Sequence, residues 1–146
     1  MKKLIFILIV LLMFGCGKPV AVEIKDVCSQ PAGTNVVIQG YISLPPQIET
    51  IQLTRKGRLE AVGLQLFLMT KADATGDEVR TIFWTSDKDE PNKIKPLPRE
   101  FTWNDLLVYT DDGKQIGAGK IVKITGEVKP DEKSKCEVNV TKIENP

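Results

Sequence analysis

Beyond its first seventeen residues the chain alternates apolar and polar positions with period 2. Over Asn35–Leu44, Val36, Ile38, Ile42 and Leu44 fall on one face and Gln39, Tyr41 and Ser43 on the other, which predicts a half-buried strand. Gly40 inside it marks a bulge or a sharp bend, and Pro45-Pro46 ends it. Ile48–Leu53 alternates more weakly and predicts a second strand, followed by a turn at Arg55-Lys56-Gly57-Arg58. Over Gly63–Lys71, Leu64, Leu66 and Leu68 share one face while Phe67 and Met69 share the other. Apolar residues on both faces predict a central strand covered on each side. Ala72–Glu78 reads as a hairpin loop, and Val79–Ser86 as a strand rich in Thr, Ile, Phe and Trp. Phe83 and Trp84 are out of phase, so one of them faces outward.

The pattern then breaks. Asp87–Arg99 is polar and carries Pro91, Pro96 and Pro98, which exclude a regular helix or a central strand. Thr102–Asp105 predicts a short helical turn, Leu106–Tyr109 a strand, and Asp111-Asp112-Gly113-Lys114 a tight turn. Gly119–Val128 is the clearest strand, with Val122, Ile124, Gly126 and Val128 on one face and Lys123, Thr125 and Glu127 on the other. Pro130–Ser134 is a turn, and Cys136–Ile143 the last strand. No helical period and no internal repeat appear after residue 17. The expected class is all-β.

The order of these runs is a glycine-bent first strand (Val37-Ile38-Gln39-Gly40-Tyr41-Ile42), a hairpin, a proline-rich excursion, Gly119–Val128 and a closing strand. This order resembles the OB-fold, a five-stranded, partly open Greek-key barrel. The resemblance implies a small OB-like Greek-key barrel of five or more strands over residues 35–146. Another small barrel or a sandwich is the alternative. The helix such barrels carry between their third and fourth strands has little sequence to form from.

The chain start is of another kind. Lys2 and Lys3 precede an unbroken apolar run of eleven residues, Leu4–Phe14, and then Gly15-Cys16-Gly17. Eleven is too short for a membrane-spanning helix, which needs about 20, and suits the apolar region of an export signal. Leu12-Met13-Phe14-Gly15-Cys16 resembles the lipobox of bacterial lipoproteins. That resemblance implies a diacylglyceryl group on the Cys16 thiol and cleavage just before it. It divides the chain into a signal peptide over 1–15, an anchor and tether over 16–34, and the barrel domain over 35–146. The lipid would hold the protein at the cell membrane or an outer membrane, with its domain outside the cytoplasm.

Export changes the reading of the cysteines and of the charge. With Cys16 lipidated, Cys28 and Cys136 are left, an even number in an oxidising compartment, and a disulfide between them is expected. Loss of Lys2 and Lys3 from the twenty basic residues leaves eighteen against nineteen acids, a net of −1. That balance argues against nucleic acid as a partner. The membrane, through lipid on Cys16, and an envelope protein or glycan are the expected partners.

With no histidine in the chain, a Ser-His-Asp triad and a histidine zinc site are excluded. The acids cluster at turns: Asp111-Asp112-Gly113, and Asp87-Lys88-Asp89-Glu90, where a solvated loop outweighs a calcium site. No metal, cofactor or catalytic residue is predicted. What remains is a binding surface, for which Tyr41, Trp84, Lys123 and Thr125 project from strands. The expected function is a non-enzymatic binding module of the cell envelope. The alternatives are a carboxylate-dependent enzyme on envelope polymer and an OB-fold that binds oligosaccharide or nucleic acid.

Overall fold

The alternating segments pair edge to edge until the sheet meets itself. In a computed structural model describing residues 17–146, the strands are β1 (Val20–Ala21), β2 (Asn35–Ser43), β3 (Glu49–Arg55), β4 (Arg58–Met69), β5 (Glu78–Trp84), β6 (Leu107–Tyr109), β7 (Gln115–Gly117), β8 (Ile121–Pro130) and β9 (Cys136–Glu144). Two 3₁₀ segments, Ile24–Ser29 and Trp103–Asp105, are the only helical elements among the described residues. The export segment and Cys16 lie outside the described residues.

β2 pairs antiparallel with β8 over Asn35–Tyr41 and with β4 over Tyr41–Ser43. β4 pairs antiparallel with β5, β5 parallel with β9, and β9 antiparallel with β8. The circuit β2–β4–β5–β9–β8–β2 is therefore closed. Five strands in this Greek-key order make an OB-fold barrel. The all-β class and the barrel expected from the sequence are what the topology shows. β2 changes partner where Gly40 sits, as the glycine within that strand predicts.

Inward positions follow the period-2 reading. Ile38, Leu66, Leu68, Val122, Ile124 and Val138 are all at most 1% exposed, and each such side chain contributes about 1.5–3 kcal/mol of burial. Phe83 points inward and is buried, so Trp84 points outward.

Two expectations need correction. The expected tether over residues 16–34 is largely part of the domain, whose first strand pairing is at Val20. Val20 and Ala21 pair with β2, and Ile24 and Val27 are buried in the core. Two apolar residues in a six-residue 3₁₀ segment are too few to set up a sequence period. Second, the strand read over Gly63–Lys71 starts at Arg58, and its outer face is not covered throughout, since Gln65 and Phe67 remain partly open. As the sequence leads one to expect, only the 3₁₀ segment Trp103–Asp105 is helical between β5 and β8, and the place of the OB helix is taken by the excursion there. Its Ile94, Leu106, Val108 and Ile116 are buried in the same core. The bridge Thr85–Ile94 holds it to the end of β5, and the Ile143 N–H donating to Asn92 Oδ1 at 2.8 Å ties it to β9, while the bridge Ile94–Val108 ties the excursion to itself.

Cys28 and Cys136 are joined, with Cα atoms 5.4 Å apart, which ties the first 3₁₀ segment to the start of β9.

Acid turns contribute to pH dependence. Lys114 and Thr110 hydrogen-bond the Asp112 carboxylate and bring its pKa down to about 2 from 3.8. A carboxyl whose pKa is lower in the folded state stabilises the fold above its unfolded pKa, and that contribution is lost as pH falls through the folded value. Asp112→Asn should therefore flatten the fall in urea midpoint between pH 3.8 and about 2. An unchanged slope in that window would assign the acid sensitivity to other groups.

Candidate functional site: the outer face of β4, β5 and β9

Side chains that point away from the barrel interior line up across three strands. Register places Phe67 of β4 beside Arg80 of β5, and Arg80 beside Glu137 of β9. The next row holds Gln65, Ile82 and Asn139, and the one beyond it pairs Gly63 with Trp84. The connection after β2, with Pro45 and Gln47, and the start of β3, with Glu49, border this face on one side, and the β8–β9 turn, with Ser134 and Lys135, on the other. Two hollows of about 100 and 160 Å³ lie side by side here, and both are lined by Phe67 and Arg80. This is the face, with its two flanking loops, that OB barrels offer to oligonucleotides and oligosaccharides.

Arg80 is the centre of the arrangement. Its guanidinium lies 5.7 Å from the centroid of the Phe67 ring, within reach of a cation–π interaction. Its polar partners are distant: Gln65 Oε1 accepts from Nη1 at 3.4 Å, and the Glu49 and Asp131 carboxylates stand 3.7 and 3.9 Å from it. Its Nε is buried with no hydrogen-bond partner among the described residues. An arginine carries five donors, so this one holds donor capacity in reserve. Gln65 also donates to Glu137 Oε2 at 3.1 Å. Burial, and then the nearby Asp131 charge, push the Glu137 carboxyl above its ordinary pKa, against the opposing pull of Gln65 and Arg80. Asp131 is held below its ordinary value mainly by the hydrogen bond from Ser134. Lys133 Nζ bonds both oxygens of Glu49 at 2.9 Å, bridging the β8–β9 turn to the start of β3.

The residues predicted as a binding surface are split by the barrel. Trp84 lies on β5 at the end of this face, half-buried, with Nε1 donating to Asn139 Oδ1 at 2.8 Å. Tyr41, Lys123 and Thr125 lie together on the β2–β8 wall, opposite Ile121, Gln39 and Val37 respectively. Lys123 is paired there with Glu144 at 3.4 Å. Phe67, Arg80, Gln65 and Glu137 were missed. Phe67 was visible as the ring out of phase with Leu64, Leu66 and Leu68, and Arg80 as a charge in mid-strand between Val79 and Thr81. The described residues contain no group of acids and cysteines arranged to hold a metal ion.

No protein-family model matches the chain, and no curated protein shows significant similarity to it. Among solved structures it is similar to the Stn1–Ten1 complex of S. pombe, at 14% identity over 90% of this chain and 79% of that one, with a TM-score of 0.40. It is also similar to the second OB-fold domain of replication protein A from Methanococcus maripaludis, at 17% identity over 86% of this chain and 94% of that one, with a TM-score of 0.46. The charge-based expectation against nucleic acid as a partner is corrected here. A net charge summed over the chain does not give the character of one face, so it excludes no class of ligand. The fold itself rests on the closed strand order.

Proposed function

We propose that this chain is a lipid-anchored OB-fold binding module displayed outside the cytoplasm. It takes an oligomeric ligand across the outer face of β4, β5 and β9 and acts by binding, without catalysis. The observation that carries this reading is the pair of adjoining hollows sharing Phe67 and Arg80 on the face flanked by the two loops. The Phe67 ring is a platform on which a base or a sugar ring can stack. Arg80, Gln65 and Glu137 offer donors and acceptors to the polar edges of the same unit, and Trp84 extends the face. The membrane anchor is supported by Lys2-Lys3, the apolar run and Gly15-Cys16. Val20 already pairs with β2, so the link from Cys16 to the barrel is short.

Titration of the protein with oligosaccharides and with single-stranded oligonucleotides tests the reading and separates the two ligand classes. Loss of one stacking ring costs about 1–3 kcal/mol, so Phe67→Ala should weaken the bound class by about 5- to 150-fold. The ring is only partly buried, so the melting temperature should move little. No binding from either class, or binding indifferent to Phe67→Ala, refutes it.

A further inference from the structure

β3 is the last strand of its sheet and pairs only with β4, so one edge of Glu49–Arg55 carries no strand partner among the described residues. Every residue of β3 is exposed except Ile51, which is partly buried, and Leu53 keeps 49% of its surface. An edge of this length invites pairing with another chain, and proteins ordinarily blunt it with a central charge, a proline or a bulge. Here the five residues Thr50-Ile51-Gln52-Leu53-Thr54 are uncharged and contain no proline. The one irregularity in the β3–β4 pairing leaves its extra residue, Glu60, on β4, so β3 itself runs unbroken.

The order of residues along this edge names the partner. Read against itself in antiparallel sense about Gln52, Glu49-Thr50-Ile51-Gln52-Leu53-Thr54-Arg55 sets Glu49 opposite Arg55, Thr50 opposite Thr54, Ile51 opposite Leu53 and Gln52 opposite itself. The first three are favourable cross-strand matches, an ion pair, a hydroxyl pair and an aliphatic pair, and the fourth sets two uncharged amides side by side. Parallel pairing in register would instead set Glu49 on Glu49 and Arg55 on Arg55.

We propose that a second copy of this chain docks on β3, antiparallel and centred on Gln52, so that the two sheets continue through β4–β3–β3–β4 around a two-fold axis. Such a contact is isologous, so both ion pairs and both Ile51–Leu53 contacts form at once. The carboxylate of Glu49 already accepts Lys133 at 2.9 Å, and its remaining lone pairs can take Arg55 of the second copy.

Register-specific crosslinking of the full chain tests this. Directly opposed residues in an antiparallel pair have Cα atoms about 4.5–5.5 Å apart, within the range a disulfide spans. Under mild oxidation Gln52→Cys should form a covalent dimer. Thr50→Cys and Thr54→Cys, at positions that are also exposed, should not do so alone but should crosslink when mixed. The unmodified chain run alongside reports any crosslink through Cys16. Arg55→Glu in the Gln52→Cys chain turns two attractions into repulsions and should cut dimer yield about tenfold. The proposal is overturned if Gln52→Cys crosslinks no better than Thr50→Cys or Thr54→Cys alone, or if Arg55→Glu leaves its yield unchanged.

Discussion

Removing the Cys28–Cys136 bond should lower the stability of the domain by about 2–5 kcal/mol. The two cysteines are 108 residues apart in sequence, so the bond closes nearly the whole barrel into one loop. The chain-entropy account gives about 4.7 kcal/mol for a loop near that length. The bond also holds the 3₁₀ segment Ile24–Ser29 against the barrel, where Val27 is 0% and Ile24 4% exposed. Urea denaturation of a Cys28→Ser, Cys136→Ser double variant measures the loss, and the melting temperature should fall by roughly 10 °C. Amide exchange should rise first at residues 20–29, because that segment is otherwise held by short pairings and two side chains. A loss below about 1 kcal/mol would mean that burial of Ile24 and Val27 alone seats the segment.

Gly40→Ala should cost about 1–3 kcal/mol, and Gly40→Val more. A Cβ at this position would lie 2.6 Å from the Met69 carbonyl oxygen, 2.8 Å from Ile24 Cδ1 and 2.9 Å from Leu68 Cγ. The first of these is backbone and cannot yield without parting β2 from β4. That pairing spans only Tyr41–Ser43 opposite Phe67–Met69, and it is what closes the barrel. The same change at Gly117 is the control, since a Cβ there meets nothing within 4 Å. Equal stability of the Gly40→Ala and Gly117→Ala proteins in urea would show that the barrel can open at this seam without loss.

The alternation of apolar side chains was enough to read the class, most strand positions, the turns at Lys56-Gly57 and Asp112-Gly113, and the inward face of β8. These are local properties: period 2 states which residues share a face, and glycine supplies the positive φ of 75° and 78° at Gly57 and Gly113. The Cys28–Cys136 pairing followed from counting cysteines. The candidate site was not legible in the same way. Phe67 and Arg80 become neighbours through a hairpin, but Gln65 meets Glu137 across 72 residues. Glu49 meets Lys133 across 84. Such contacts depend on which strands the closed circuit places side by side, and a face assignment carries no information about that. The same holds for Trp84, which the phase argument offered as a candidate outward ring, yet which stands on a different wall from Tyr41, Lys123 and Thr125. Residues 20–34 show the limit from the other side. Ile24 and Val27 are core because their segment packs against β5, β2 and β9, and no period within a six-residue segment can announce that.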